Sequence, residues 1–174
     1  MNWIWFGIVT AVGLVAVVTR LLNSRVVVRD RNQLFGMPRL LKPVAVRLDE
    51  LAALVEAMSN GSAGVRYAGL TFNTADRPSA EDAVNLNLPI ENGKVGFDWV
   101  LLAPRNLQDQ GKFESFARTC GIELSTHSLN GVSYLRVECE DVAKFTASIV
   151  TEMYNCSPTE PLQLVHEGFD WPRR

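Results

Sequence analysis

The sequence predicts an α+β domain: an antiparallel five-stranded sheet with helices mainly on one face, in the order α-β-β-β-α-β-β-α, preceded by one transmembrane helix. Three observations carry this reading. Residues 3–18 (WIWFGIVTAVGLVAVV) form an apolar run in which only Thr10 is polar. Two Asn-Gly pairs, Asn92-Gly93 and Asn130-Gly131, each lie between alternating segments. That is the pattern of a two-residue hairpin turn whose central positions both need positive φ. Strands also follow one another through hairpins instead of alternating with helices, which favours α+β over a parallel sheet. The chain has 174 residues, 47% apolar and 21% charged. Gross disorder is excluded, and one domain with an appendage fits the length.

Extension of the apolar run through Leu22 gives a helix of roughly 30 Å over residues 3–22, enough for a span. Trp3 and Trp5 belong at one membrane interface and Arg20 at the other, where it snorkels. The run lacks a basic n-region and a small-residue cleavage site, so the expectation is a retained anchor and not a signal peptide. No Lys or Arg precedes it, whereas Arg20, Arg25, Arg29 and Arg31 follow it closely. The positive-inside rule then gives a single-pass protein of the inner (plasma) membrane, N-terminus outside and C-terminal domain cytoplasmic. An odd count of cysteines (Cys120, Cys139, Cys156) suits a reducing compartment.

The formal net charge of -2 hides a split. Residues 1–43 carry six basic residues against one acid; residues 44–174 carry 11 against 18. Residues 23–43 are thus a basic juxtamembrane connector, interrupted by Gly36, Pro38 and Pro43. Its charges either dock on anionic headgroups, at about 1 kcal/mol each, or only set topology. Residues 44–174 are the cytoplasmic domain.

Within that domain, residues 47–58 place Leu48, Leu51, Ala52, Val55 and Met58 on one face of a helix stopped by Asn60-Gly61. Residues 65–72 read as a strand, with Gly69 marking a bulge or a weak point, and TADRPSAEDA as a loop. Around Asn92-Gly93, Leu86 falls opposite Trp99, Leu88 opposite Phe97, Val84 opposite Leu101 and Ile90 opposite Val95. All eight are apolar, and Asn85, Asn87, Pro89, Glu91, Lys94, Gly96 and Asp98 take the other face. A one-residue slip would reverse this segregation. Pro89 suggests an edge strand. Residues 107–119 form a helix with Phe113, Phe116, Ala117 and Cys120 on one stripe. Around Asn130-Gly131, Leu124–Val137, Thr126–Leu135 and Ile122–Cys139 form the core side. Glu123–Glu138, Ser125–Arg136 and His127–Tyr134 form the other, with Arg136 relieving the two glutamates. Residues 141–154 form a last helix with Val142, Phe145, Ile149 and Met153 inward and an acid at its start. The tail from Pro161, with Leu162, Leu164, Phe169 and Trp171, is apolar enough to pack back on the domain.

No catalytic constellation emerges. His127 and His166 lie in no metal-ligand spacing, and no Cys-x-x-Cys occurs. Cys120 and Cys139 fall on core faces, where a thiol behaves as a small hydrophobe. Gly61-Ser62-Ala63-Gly64 lacks the end of a phosphate loop and reads as a turn. Glu138, Glu140 and Asp141 mark a strand exit and a helix start. The acidic domain disfavours nucleic acid. No enzyme activity, cofactor or metal is therefore expected. The candidate partner-binding residues are Tyr67, His127, Tyr134, Phe169 and Trp171, on the polar sheet face and in the tail.

The element order and acidic character of residues 47–160 resemble the small acidic chaperones of type III secretion systems and the YbjN-like proteins grouped with them. The stretch FESFARTCGIELSTHSLNGVSYLRVECEDVAKFTASIVTEMY looks like the second half of those domains. The resemblance implies a non-enzymatic domain that binds peptides or partner proteins, often as a dimer; the membrane anchor is a departure from it. The expected function is a membrane-anchored cytoplasmic protein- or peptide-binding domain, acting as a chaperone-like adaptor or an accessory subunit of a membrane complex. Its expected partners are the lipid bilayer and a protein, with self-association open. The alternative is an immunity-type protein that neutralises a toxin.

Overall fold

The computed structural model describes residues 43–62, 66–76, 79 and 82–172, together with the backbone of 26–28 and 39–41. The expected span 3–22, with Trp3, Trp5, Arg20, Arg25, Arg29 and Arg31, lies outside them. Among the described residues no helix is long and apolar enough to cross a membrane. Within the connector, β1 (Val26–Val28) pairs antiparallel with β2 (Arg39–Leu41).

The main sheet is antiparallel and has eight strands, not five. They are β3 (Val44–Val46), β4 (Tyr67–Phe72), β5 (Val84–Glu91), β6 (Lys94–Val95), β7 (Phe97–Val100), β8 (Leu124–Leu129), β9 (Val132–Val137) and β10 (Leu162–Glu167). Their order is β3-β10-β4-β5-β7-β9-β8, with β6 also on β5. Of the three extra strands, β3 and β10 come from the ends of the domain, and β6 is split from β7 at Gly96. The C-terminal tail does pack back, as strand β10 inserted between β3 and β4.

Both hairpin registers are as expected. Ile90 pairs with Val95 and Asn87 with Asp98; Leu124 pairs with Val137 and His127 with Tyr134. Both turns take positive φ at each central residue: 52° and 78° at Asn92-Gly93, 52° and 81° at Asn130-Gly131. The edge inference from Pro89 is overturned, since β5 lies between β4 and β7. The Ile90 N–H bonds the Arg66 carbonyl, and the Gly96 N–H bonds the Pro89 carbonyl. Alternation along an antiparallel pair then turns the Pro89 nitrogen toward Gly96 and away from β4. The missing donor falls where Gly96 already breaks β6 from β7. Gly69 sits in regular register between Val165 and Asn87, with no bulge.

Four helices pack on one face. A 3-10 turn (Leu48–Glu50) leads into α1 (Leu51–Asn60). Then come α2 (Pro104–Gln108), α3 (Gln110–Thr119) and α4 (Val142–Ser148), which continues as a π turn over Ile149–Met153. In α1 the inward residues are Leu51, Leu54 and Met58, and Ala52 is exposed. The second predicted helix starts earlier, at Pro104, and breaks at Asp109. Asp141 caps α4 by accepting from the Lys144 N–H at 2.8 Å. Gly61 ends α1 with φ -61°, so the left-handed stop is not used. A side chain there would instead lie 2.8 Å from Arg66 Cδ and 2.9 Å from the Gly168 carbonyl. Glycine is required for close approach of the chain after β10.

The core joins Ala68, Leu70, Leu86, Leu88, Phe97, Trp99, Leu135, Val137, Leu162 and Leu164 of the sheet to the helices. Its centre is aromatic. Phe113 stacks on Trp99 at 4.5 Å between centroids, and Phe145 meets Phe97 edge-on at 5.3 Å. Such pairs add about 1 kcal/mol beyond area burial. Besides Ala52, two core assignments fail. Cys120 and Thr126 are exposed, because helix α3 ends at Thr119 and β8 is the sheet edge.

Candidate functional site

Three segments meet at one end of the sheet: the β5–β6 turn, the exit from β9, and the start of α4. Between them lies a groove of about 930 Å³, to which Val55 and Ser59 of α1 also contribute. Its charged lining is Glu91, Glu138, Glu140 and Asp141 against Lys94 and Arg136. The Asn-Gly turn holds Lys94 opposite Glu91 in register. β9 carries Arg136 to the same end, on the outer face of the sheet.

Arg136 is not available to Glu123 and Glu138, as the hairpin alone suggests. Its Nε and Nη2 donate to the two Asp98 carboxylate oxygens, both at 2.8 Å. Its Nη1 bonds Glu91. Cross-strand pairing of Asp98 with Arg136 between β7 and β9 sets this geometry. Asp98 is only 5% exposed. Burial pushes its carboxyl up, and the guanidinium pulls the other way. The bonds to Asp98 and Glu91 in turn hold Arg136 firmly protonated. A bidentate pair of this kind fixes orientation as well as charge. With Arg136 committed, Lys94 is the one other cation among the described lining residues, against Glu138, Glu140 and Asp141, so this lining is electronegative.

The outer face continues from Arg136 to the sheet edge. Its guanidinium carbon sits 5.2 Å from the Tyr134 ring centroid. Tyr134 stacks on His127 at 5.4 Å with 16° between planes. His127 Nε2 is 2.8 Å from Ser125 Oγ. Of the five candidate partner-binding residues, the structure brings only His127 and Tyr134 together. Tyr67 lies on the same face but is 7% exposed, three strands away from β9. Burial and nearby Glu167 push its phenol above the ordinary range. Phe169 and Trp171 follow β10 and are half-buried against the core, with Phe169 4.9 Å from His166.

Among the described residues no three His, Cys, Asp or Glu side chains are grouped to hold a metal ion. Burial pushes all three thiols up, with Glu152, Asp141 and Glu160 adding to it at Cys120, Cys139 and Cys156. That direction opposes a thiolate nucleophile.

No family model matches the chain, and no curated protein or solved structure matches it either. The site is read from its own chemistry.

Sequence reasoning missed two side chains that shape the sheet. Asn106 is fully buried. It accepts the Asn85 N–H at 3.0 Å and donates to the Asn85 carbonyl at 2.7 Å, as a neighbouring strand would. Arg66 caps the C-terminus of α1, donating to the Met58 and Ser59 carbonyls at 2.9 and 2.8 Å. No short motif marks either role.

Proposed function

We propose that this chain is a membrane-tethered domain that binds an extended, cationic segment of a partner protein in the groove between the β5–β6 turn and the β9–α4 segment. It acts as an adaptor or accessory subunit on the cytoplasmic side, not as an enzyme. One observation carries the reading. In the groove Arg136 is taken up by Asp98 and Glu91, which leaves Glu138, Glu140 and Asp141 against Lys94. A cationic segment gains long-range attraction there, and apolar Val55 and Val95 supply contact area. The apolar run at 3–22 supports the tether. The resemblance of the sequence to type III secretion chaperones supports a binding role.

Affinity purification of the full-length protein from mild detergent, followed by mass spectrometry, tests this. The same proteins should be recovered repeatedly by the natural chain and lost with the double substitution Glu138→Lys and Glu140→Lys. Both residues are exposed, so folding should be unaffected. Recovery of the same set by both chains, or of nothing above background, contradicts the proposal.

A further inference from the structure

The two edges of the sheet are unlike. β3 has three residues and stands between Pro43 and Arg47. Shortness, proline and charge are the ordinary guards of an edge. β8 has six residues, LSTHSL, with no Lys, Arg, Asp, Glu or Pro and no bulge in its register. All but Leu124 are exposed, Leu129 at 59%.

The free backbone groups of β8 can be assigned. The Leu101 N–H bonds the Ser133 carbonyl in the β7–β9 register. Hydrogen-bonded pairs alternate along an antiparallel ladder. Ser133, Leu135 and Val137 therefore turn toward β7, while Val132, Tyr134 and Arg136 turn toward β8. By the β8–β9 register, Ser125, His127 and Leu129 are satisfied inward. Leu124, Thr126 and Ser128 direct their N–H and C=O groups away from the sheet.

We infer that β8 pairs antiparallel with β8 of a second copy of this chain, across a two-fold axis at Thr126, so that the two sheets become continuous. In this register Thr126 faces Thr126 of the partner, and Leu124 faces Ser128 in both directions. All three outward residues then exchange bonds. Moving the register by one residue sets an outward residue against an inward one. Moving it further leaves one of the three without a partner inside the strand. Side chains agree. On the core side threonine meets threonine, a favourable cross-strand pair. On the outer side Ser125 meets His127, the two side chains already bonded within one chain. No like charges face each other from 124 to 129, although the domain as a whole is acidic.

A second copy fits better than a foreign strand. The outward groups and side chains of β8 are complementary to β8 itself over all six residues in a single register. The guarded β3 edge also stops growth at two, giving a closed dimer and not a filament.

The test uses full-length protein in mild detergent, with its mass measured by light scattering after size exclusion and corrected for the micelle. The natural chain should run as a dimer. Thr126→Lys, at an exposed side chain, should give a monomer that keeps the native circular dichroism spectrum. With Cys120, Cys139 and Cys156 replaced by Ser, Thr126→Cys should form a disulfide dimer and Ser128→Cys should not. A monomeric natural chain overturns the inference. So does a dimer that survives Thr126→Lys, which would place contact elsewhere, or cross-linking at Ser128 in preference to Thr126. A different protein displaced from the natural monomer by Thr126→Lys would assign the edge to a foreign strand instead. The Glu138→Lys and Glu140→Lys chain should remain dimeric, which separates this inference from the groove reading.

Discussion

Arg136 shows how one side chain links the sheet to the groove. It lies between Asp98 on β7 and Glu91 at the β5–β6 turn, and its own side chain is 12% exposed. Removing one partner of a buried pair leaves an uncompensated charge, which costs about 3–5 kcal/mol, whereas apolar replacement of both is far milder. Arg136→Met should therefore lower the urea midpoint strongly, and Asp98→Leu with Arg136→Met should recover most of it. Equal losses in the single and double variants would show that the pair contributes little. Two tyrosines set an alkaline limit. Burial, and for Tyr154 a hydrogen bond to Asp109, push the phenols of Tyr67 and Tyr154 above their ordinary pKa. An acid whose folded pKa is raised contributes stability below its unfolded pKa and loses it as pH rises beyond. Stability should fall above about pH 10, where the unfolded chain releases protons that the folded chain retains. Denaturant titrations at pH 8 to 11 should show a shallower fall for Tyr154→Phe; the same slope in both chains would contradict this assignment.

At the scale of elements, Asn106 ties α2 to the start of β5 by imitating a strand. Asn106→Ala strips the partners from two buried backbone groups and from neither end gains water. It should cost about 2–3 kcal/mol, read as a lower melting temperature with the native circular dichroism kept. The two hairpins were legible because period-2 alternation and Asn-Gly turns agree in both. β3 was not, since three residues cannot display a period. β10 alternates Leu162, Gln163 and Leu164, but its partners lie near residues 45 and 70, and no local signal announces such a pairing. No proline or glycine stands at Asp109, so the end of α2 and all of α3 read as one helix over 107–119, and the first turn of α2 was not legible. Within the site, the His127–Tyr134 neighbourhood followed from the hairpin register alone. The commitment of Arg136 to Asp98 did not, because it depends on β7 meeting β9 across 38 residues of chain. The burial of Tyr67 likewise depends on β10.

At the scale of the whole molecule, the C-terminal strand closes the fold. Among the described residues β3 pairs with β10 alone, and β4 has β10 on its open side. A chain ending at Pro161 should lose its cooperative thermal transition, whereas a chain ending at Pro172 should keep it. Such late, long-range pairing also slows folding, because loop closure precedes its reward. The sheet is thus built with one end electronegative, one edge guarded and one edge open. We propose that a cationic segment of a partner occupies the electronegative end. The most direct test is a photo-cross-linking residue introduced at Lys94, exposed at the groove, or at Ala45, exposed on the guarded edge strand. Irradiation of cells carrying the full-length protein should yield one discrete adduct from position 94 and none from position 45. Equal labelling from both positions, or no adduct from position 94, would contradict the account.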